Sequence, residues 1–208
     1  MGPGGARPQP VRRVAAPVPA PGLDDPGGRA APLYSNVGYA LLGHAVAASA
    51  GTDYATLLEE RLAAPLGLDS MHVAGVRGDL RAGAMVGTTR RGRRREAWVG
   101  EGIAPAGGVR ATAADVARLA AAILAGGVPG LAALEPRTTL ERDGLGPAWL
   151  TSQVPTPGGA SRTITWHNGG TGGFRSYLGL DRERGRAVVA ISPRASAPDR
   201  AARAWLAG

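Results

Sequence analysis

The residues best suited to chemistry lie in one short stretch, WHNGGTGGFRSYLGLD, which covers residues 166–181. One His, one Asn and four Gly fall within seven positions, and an alternating apolar run follows them. Such a stretch could form a flexible turn, a phosphate-binding loop or one wall of an acyl-transfer site. The chain contains no Lys, which excludes a Walker A loop, and Gly169–Gly173 lacks the G-x-G-x-x-G spacing. Two interpretations of the stretch remain, a flexible turn and one wall of an acyl-transfer site.

Other catalytic and metal-binding patterns do not occur in the sequence. The chain has no Cys, which excludes thiol nucleophiles and Cys-ligated metals. No Ser stands in a G-x-S-x-G elbow. The three His residues are far apart along the chain, and His44 lies in an apolar stretch typical of a packed helix. We therefore expect neither a metal nor a cofactor.

The basic residues are unusual in kind, because all 24 are Arg, and the formal net charge is +8. Their densest cluster is TRRGRRRE, Thr89–Glu96, which we interpret as a solvated loop. Electrostatic association with nucleic acid is a much weaker hypothesis, since no aromatic residue interleaves with these Arg. No apolar run reaches the about 20 residues that a membrane-spanning helix needs.

The first part of the chain differs in composition from the rest. Residues 1–30 are rich in Pro, Gly and Arg and predict a disordered tail. Prolines interrupt the apolar stretch that a signal peptide would require, so the sequence leaves the cellular compartment open.

Helical patterns dominate the residues that follow the tail. Residues 36–50 suit a helix that ends at Gly51, and Thr52 is the expected N-cap of a second helix. Residues 73–110 have little periodicity and predict a long loop with a short strand or two. The capping box Thr112–Asp115 then begins a third helix.

The period changes from helix to strand in the last third of the chain. RTITW alternates so that Ile164 and Trp166 share one face. FRSYLGLD and GRAVVAIS flank a charged turn that contains Gly185 and predict a β-hairpin, in which the apolar AVVAI is expected to be covered on both faces. A final helix, with Ser196 and Asp199 spaced as a capping box, completes an α+β arrangement.

Three segments, taken in order, carry a resemblance to a known family. They are YSNVGYALLG (34–43), PAGGVRATAADVARL (105–119) and WHNGGTGGFRSYLGLD (166–181), with PLGLDSMHV between the first two. Together they resemble the serine β-lactamase-like hydrolases, which include class C β-lactamases, D,D-peptidases, esterases and D-aminopeptidases. The resemblance covers about residues 31–208 and implies a β-lactamase/transpeptidase-like fold, an antiparallel sheet flanked by helices.

The resemblance also implies roles for particular residues. Tyr34 is the acid/base of a Tyr-x-Asn motif, and Asn36 would hydrogen-bond the acyl amide of the substrate. His167 stands where β-lactamases carry the Lys of Lys-Thr-Gly, and a mostly neutral imidazole favours an esterase or a peptidase over a β-lactamase. The N–H of Gly170 would be an oxyanion-hole donor. Three further residues would line the substrate: Asn168, Gly169 and Thr171.

One departure from the family pattern limits the predicted function. The family's nucleophile is the Ser of Ser-x-x-Lys, and a chain without Lys cannot contain that motif. We therefore expect residues 31–208 to be the C-terminal portion of such a hydrolase, without the N-terminal strands and the nucleophile helix, and inactive by itself toward small ester, amide or peptide substrates.

Two consequences follow from that expectation. The alternative function is a degenerate homologue that binds acyl or peptidoglycan-type ligands without turnover. In either case AVVAI would lie at an edge of the sheet, and an apolar edge strand favours self-association.

Overall fold

The computed structural model describes residues 32–208, so the predicted tail lies outside the described residues. Its first element is helix α1, Asn36–Ser49, which confirms the first predicted helix. Ser35 caps this helix, because its side chain accepts a hydrogen bond from the N–H of Gly38 at 3.0 Å. The cap fixes the start of the helix at Asn36, two residues after Tyr34.

The second helical segment begins one residue later than predicted. Asp53, rather than Thr52, is the N-cap of α2, Tyr54–Leu58. Its carboxylate accepts from both the N–H and the hydroxyl of Thr56, at 2.9 and 2.8 Å. A π-helical turn, Glu59–Ala63, then leads into the short helix α3, Ala64–Leu66.

The region between residues 72 and 110 is mostly irregular, as predicted. Strand β1, His72–Val73, pairs with β2, Val109–Arg110, and the short helix α4, Ala104–Gly107, precedes β2. Helix α4 packs closely on α1, because a Cβ atom on Gly43 would overlap the ring of Pro105. The absence of that side chain lets the two helices approach each other.

Helix α5, Ala113–Leu124, carries only half of its predicted capping box. Thr112 accepts from the N–H of Asp115, as expected, but the Asp115 carboxylate turns away from the helix end. It accepts instead from the N–H and the hydroxyl of Ser70, at 2.7 and 2.5 Å, and the N–H of Thr112 donates to that same hydroxyl. This buried network ties the segment around Ser70 to the start of α5.

We predict that Asp115→Asn lowers the melting temperature by several degrees and flattens its dependence on pH. Hydrogen bonds from Ser70 hold the pKa of Asp115 below its ordinary value. The stabilisation that they provide is complete above the unfolded-state pKa of about 3.9 and is lost as the pH falls through the lower folded-state pKa. Thermal unfolding followed by circular dichroism, from neutral pH into acid, measures this. Asp69→Asn, at an exposed neighbour, is the control and should leave both quantities unchanged.

A six-stranded antiparallel sheet occupies the C-terminal half of the chain. Its strands lie side by side in chain order: β3 (Thr138–Leu140), β4 (Asp143–Leu145), β5 (Leu150–Pro155), β6 (Ser161–Gly169), β7 (Arg175–Asp181) and β8 (Arg186–Ser192). Strands β7 and β8 form the predicted hairpin, with Gly185 at φ 63° in its turn. The α+β arrangement is thereby confirmed.

The two faces of the sheet are covered by different helices. On one face, Ile164, Trp166 and Tyr177 form a core with the final helix α6, Asp199–Ala207. On the other face, Leu180 packs against Ala120 and Ile123 of α5. Both helices contact strand β8, but the cover of AVVAI is only partial, because residues 187–190 are half-buried and Ile191 is exposed.

The predicted capping box of the final helix is wrong. Pro198 occupies the N-cap position of α6, and its side chain makes no cap hydrogen bond. Asp199, the first residue of the helix, bonds to Asn168 of β6 instead. The start of α6 is therefore fixed by the sheet rather than by its own chain neighbours.

Two surfaces remain open within residues 32–208. Strand β8 pairs only with β7 there, so it forms one edge of the described sheet. Helix α1 exposes Val37, Leu41 and Val46, each more than half accessible to solvent. Self-association through the β8 edge stays a prediction.

None of the helices in the described part is both long enough and apolar enough to cross a membrane.

Candidate active site

The C-terminal end of strand β6, residues 167–169, lies at a free strand edge. Strand β5 pairs with β6 only from Pro155 opposite Ser161 to Leu150 opposite Trp166. Beyond that point, residues 167–169 pair with β7 alone among the described strands. Their backbone groups on the β5 side are available to an extended ligand, which can add to the sheet as a further strand.

His167 lies on this free edge and is partly buried. Burial lowers the pKa of His167 below its ordinary value, and a hydrogen bond with the Asn168 backbone opposes that shift only in part. The imidazole is therefore neutral at pH 7, and its role as a weak carboxylate clamp stays a prediction. A neutral ring can donate through one nitrogen and accept through the other.

Asn168 points to the opposite face of the sheet. Its side-chain amide donates to the carboxylate of Asp199 at 2.6 Å and so joins β6 to α6. It shares the face of Ile164 and Trp166, because it follows Trp166 by two positions in the strand. The side chain of Asn168 thus has a structural partner, and its contact with substrate stays a prediction.

Gly170 begins the turn that connects β6 to β7. Within residues 32–208 its N–H donates to no backbone or side-chain acceptor, as an oxyanion-hole donor requires. A Cβ atom at this position would overlap the guanidinium of Arg175, which lies against Gly170. The turn closes where the N–H of Phe174 donates to the carbonyl of Thr171 at 2.8 Å. Sequence reasoning gave no role to Arg175.

Tyr34 and Asn36 are joined at the start of α1. The hydroxyl of Tyr34 donates to the Asn36 side-chain oxygen at 3.0 Å, and both residues are exposed. Helix α1 is anchored to the sheet by Tyr39, whose hydroxyl donates to the carbonyl of Pro147. Pro147 lies three residues before the start of β5, so this contact places α1 at the end of the sheet where β6 has its free edge.

Helix α4 links the Tyr-x-Asn helix to the glycine-rich turn. Pro105 of α4 packs on Gly43 of α1. At the end of α4, a Cβ atom built on Gly107 would lie 3.5 Å from the methyl group of Thr171 in the turn. Four predicted catalytic residues thus lie on elements that contact one another: Tyr34, Asn36, His167 and Gly170. His44, predicted to be a packing residue, bonds to the carbonyl of Glu101 at 3.1 Å. The described residues contain no cluster of His, Asp and Glu that could hold a metal ion.

The fold is similar to that of solved β-lactamases. A class C β-lactamase superposes with a TM-score of 0.69 at 18% identity, and a β-lactamase from Sulfitobacter sp. EE-36 with 0.69 at 22%. A D-alanine carboxypeptidase AmpC from Burkholderia cenocepacia gives 0.67 at 23%. These alignments cover 83–84% of this chain and 55–59% of theirs, so the chain spans a little over half of their length. The chain therefore has the α+β fold of the β-lactamase/transpeptidase class.

The family follows from the sequence itself. A family model described as Beta-lactamase matches residues 4–208, and the chain belongs to this family. The resemblance found in the three sequence segments is thereby confirmed. A comparison with curated protein sequences gave no match.

Proposed function

We propose that this chain provides the acyl-binding wall of a β-lactamase-family serine hydrolase of the esterase or peptidase type. By itself it binds an acyl ligand and does not turn it over. The observation that carries the proposal is the free edge of β6, where residues 167–169 and the unpaired N–H of Gly170 can receive an extended carbonyl compound.

Each predicted site residue has a part in this proposal. The Gly170 N–H donates to the carbonyl oxygen of the ligand, which is polarised there. The neutral His167 forms one hydrogen bond with the ligand and contributes no charge. Tyr34, which donates a hydrogen bond to Asn36 at 3.0 Å, would exchange a proton with a nucleophile or a leaving group. Asn168, Gly169 and Thr171 line the ligand through their backbone.

The nucleophile is the part that these 208 residues do not contain. Acylation in this family uses Ser-x-x-Lys, and no Lys occurs in the sequence. A phenol also needs a nearby cation to act as a base near neutral pH, because its ordinary pKa is about 10. The proposed activity of the chain itself is therefore ligand binding without an acyl-serine intermediate.

Two measurements test the proposal together. Intact-mass spectrometry after treatment with a fluorophosphonate should show no covalent adduct. Acetyl-D-alanyl-D-alanine, chosen because one similar structure is a D-alanine carboxypeptidase, should shift the amide NMR signals of Gly169 and Gly170. His167→Gln should weaken this binding by about three- to tenfold, the effect of one neutral hydrogen bond, while His72→Gln in β1 should not. A fluorophosphonate adduct, or no binding at all, contradicts the proposal.

A further inference from the structure

The segment Thr88–Arg95, called here the arginine hairpin, is a folded turn. The N–H of Thr89 donates to the carbonyl of Arg93 at 2.8 Å, and the N–H of Gly92 donates to the carbonyl of Thr89 at 3.0 Å. Thr88 and Arg94 form an antiparallel bridge. The side chains of its five Arg are exposed, which agrees with the predicted solvated loop, but the backbone beneath them is held in place.

The arginine hairpin is attached to the end of the sheet next to the candidate site. The N–H of Thr88 donates to the carbonyl of Pro193 at 2.8 Å, and its carbonyl accepts from the N–H of Ala195 at 2.9 Å. Pro193 and Ala195 lie one and three residues after the end of β8. The hairpin therefore continues the sheet just beyond the β7–β8 pair.

Glycines bring the hairpin into direct contact with the turn that follows Gly170. A Cβ atom on Gly87 would overlap the carbonyl oxygen of Gly172, and a Cβ atom on Gly173 would lie 2.6 Å from the backbone nitrogen of Thr88. Two backbones thus touch without intervening side chains. The backbone that carries the five Arg is therefore fixed beside the turn that ends the proposed ligand wall.

Positive charge around this turn is not neutralised locally. The hairpin contains no acidic residue, and the neighbouring Glu96 already pairs with Arg77 at 2.9 Å. Arg175 lies against Gly170 from the other side of the turn and has no ion-pair partner within residues 32–208. The wall is therefore cationic at its border, although His167 on the wall itself is neutral.

We infer that the arginine hairpin selects anionic ligands for the acyl site, namely acyl compounds that carry a free carboxylate. This inference rests on the proposed function. Guanidinium groups bind carboxylates through paired N–H donors, and several cations at the mouth of a site also raise the local concentration of an anion. The hairpin supplies the charge that a Lys in place of His167 would otherwise provide.

Paired probes and matched variants test the inference. The probes are acetyl-D-alanyl-D-alanine and its C-terminal carboxamide, which differ in one charge, and binding is measured by calorimetry at low and moderate salt. The variant R91Q/R93Q/R94Q changes exposed side chains that make no hydrogen bond within the described residues. The control R137Q/R142Q/R184Q removes the same charge from exposed positions outside the hairpin.

The wild-type chain should bind the carboxylate more tightly than the carboxamide, and added salt should reduce the difference. The hairpin variant should lose about tenfold in affinity for the carboxylate, the sum of several exposed ion pairs, and none for the carboxamide. The control variant should bind like the wild type. Equal affinity for both probes overturns the inference and leaves the proposed function intact, whereas binding of neither probe overturns both. If the hairpin retains an oligonucleotide tightly and in a salt-sensitive way, without a preference for the carboxylate probe, its ligand is nucleic acid. That result also overturns the inference.

Discussion

Trp166→Ala is expected to lower the free energy of unfolding by about 3–5 kcal/mol, as a large aromatic residue removed from a packed core does. Only 7% of Trp166 is exposed, and its ring stacks on Tyr177 with centroids 5.8 Å apart. The guanidinium of Arg203 lies 3.9 Å from the centre of the Trp166 ring and 5.9 Å from that of Tyr177. The indole N–H donates to the hydroxyl of Ser152 at 2.7 Å. The substitution removes all of these contacts at once and leaves a cavity under α6.

Urea unfolding followed by far-ultraviolet circular dichroism measures this loss. The matched control is Trp205→Ala, because Trp205 is 54% exposed and keeps a similar cation–π contact, with Arg186 at 4.6 Å. The control should cost no more than about 1 kcal/mol, the value of an exposed contact of this kind. If both variants lose the same stability, the core between β6 and α6 does not have the importance assigned to it. The Trp166 variant should also bind ligand more weakly at the free edge of β6, because His167 follows Trp166 directly in that strand.

The second large effect is expected at Gly173. This residue adopts φ 86°, and a Cβ atom there would lie 2.6 Å from the nitrogen of Thr88. Gly173→Ala should therefore lower the free energy of unfolding by about 1–2 kcal/mol, because Ala disfavours the left-handed backbone conformation. The steric conflict with the arginine hairpin should lower it by about 1–3 kcal/mol more. It should also abolish the preference for a carboxylate ligand, because the hairpin must move away from the turn.

Gly159→Ala separates the two contributions. Gly159 has φ 81°, nearly the same backbone conformation, but nothing lies within 4 Å of a Cβ atom built on it. This control should show the backbone cost alone and keep the carboxylate preference. The stability of both variants is read from denaturant unfolding, and ligand preference from calorimetry with the two alanyl probes. Equal losses in the two variants would mean that the hairpin does not press on the turn.

Elements with a clear period were predictable from the sequence. Helices α1 and α5, the β7–β8 hairpin and the shared face of Ile164 and Trp166 all follow from hydrophobic spacing and caps, and the structure contains each of them. The caps were predicted less well. Thr52 and Asp53 both suit an N-cap, and the second is used because its two carboxylate oxygens reach the N–H and the hydroxyl of Thr56 together.

Contacts between distant parts of the chain could not be predicted from local patterns. A capping box predicts that Asp115 bonds within its own helix, yet its partner is Ser70, 45 residues away. The contact of Tyr39 with Pro147 spans 108 residues and places the Tyr-x-Asn helix beside the sheet. The docking of the arginine hairpin on the glycine-rich turn is of the same kind, since it depends on two backbones meeting where neither has a side chain.

The even-numbered side chains of strand β6 face α6, whereas the odd-numbered ones face the other side of the sheet. Ile164, Trp166 and Asn168 hold α6 in place, whereas His167 takes no part in that core. A random substitution at the first set mostly costs folding, but one at His167 mostly alters what the strand edge can hold. Laboratory evolution toward a new ligand can therefore begin at His167, where variants remain folded while their preferences diverge.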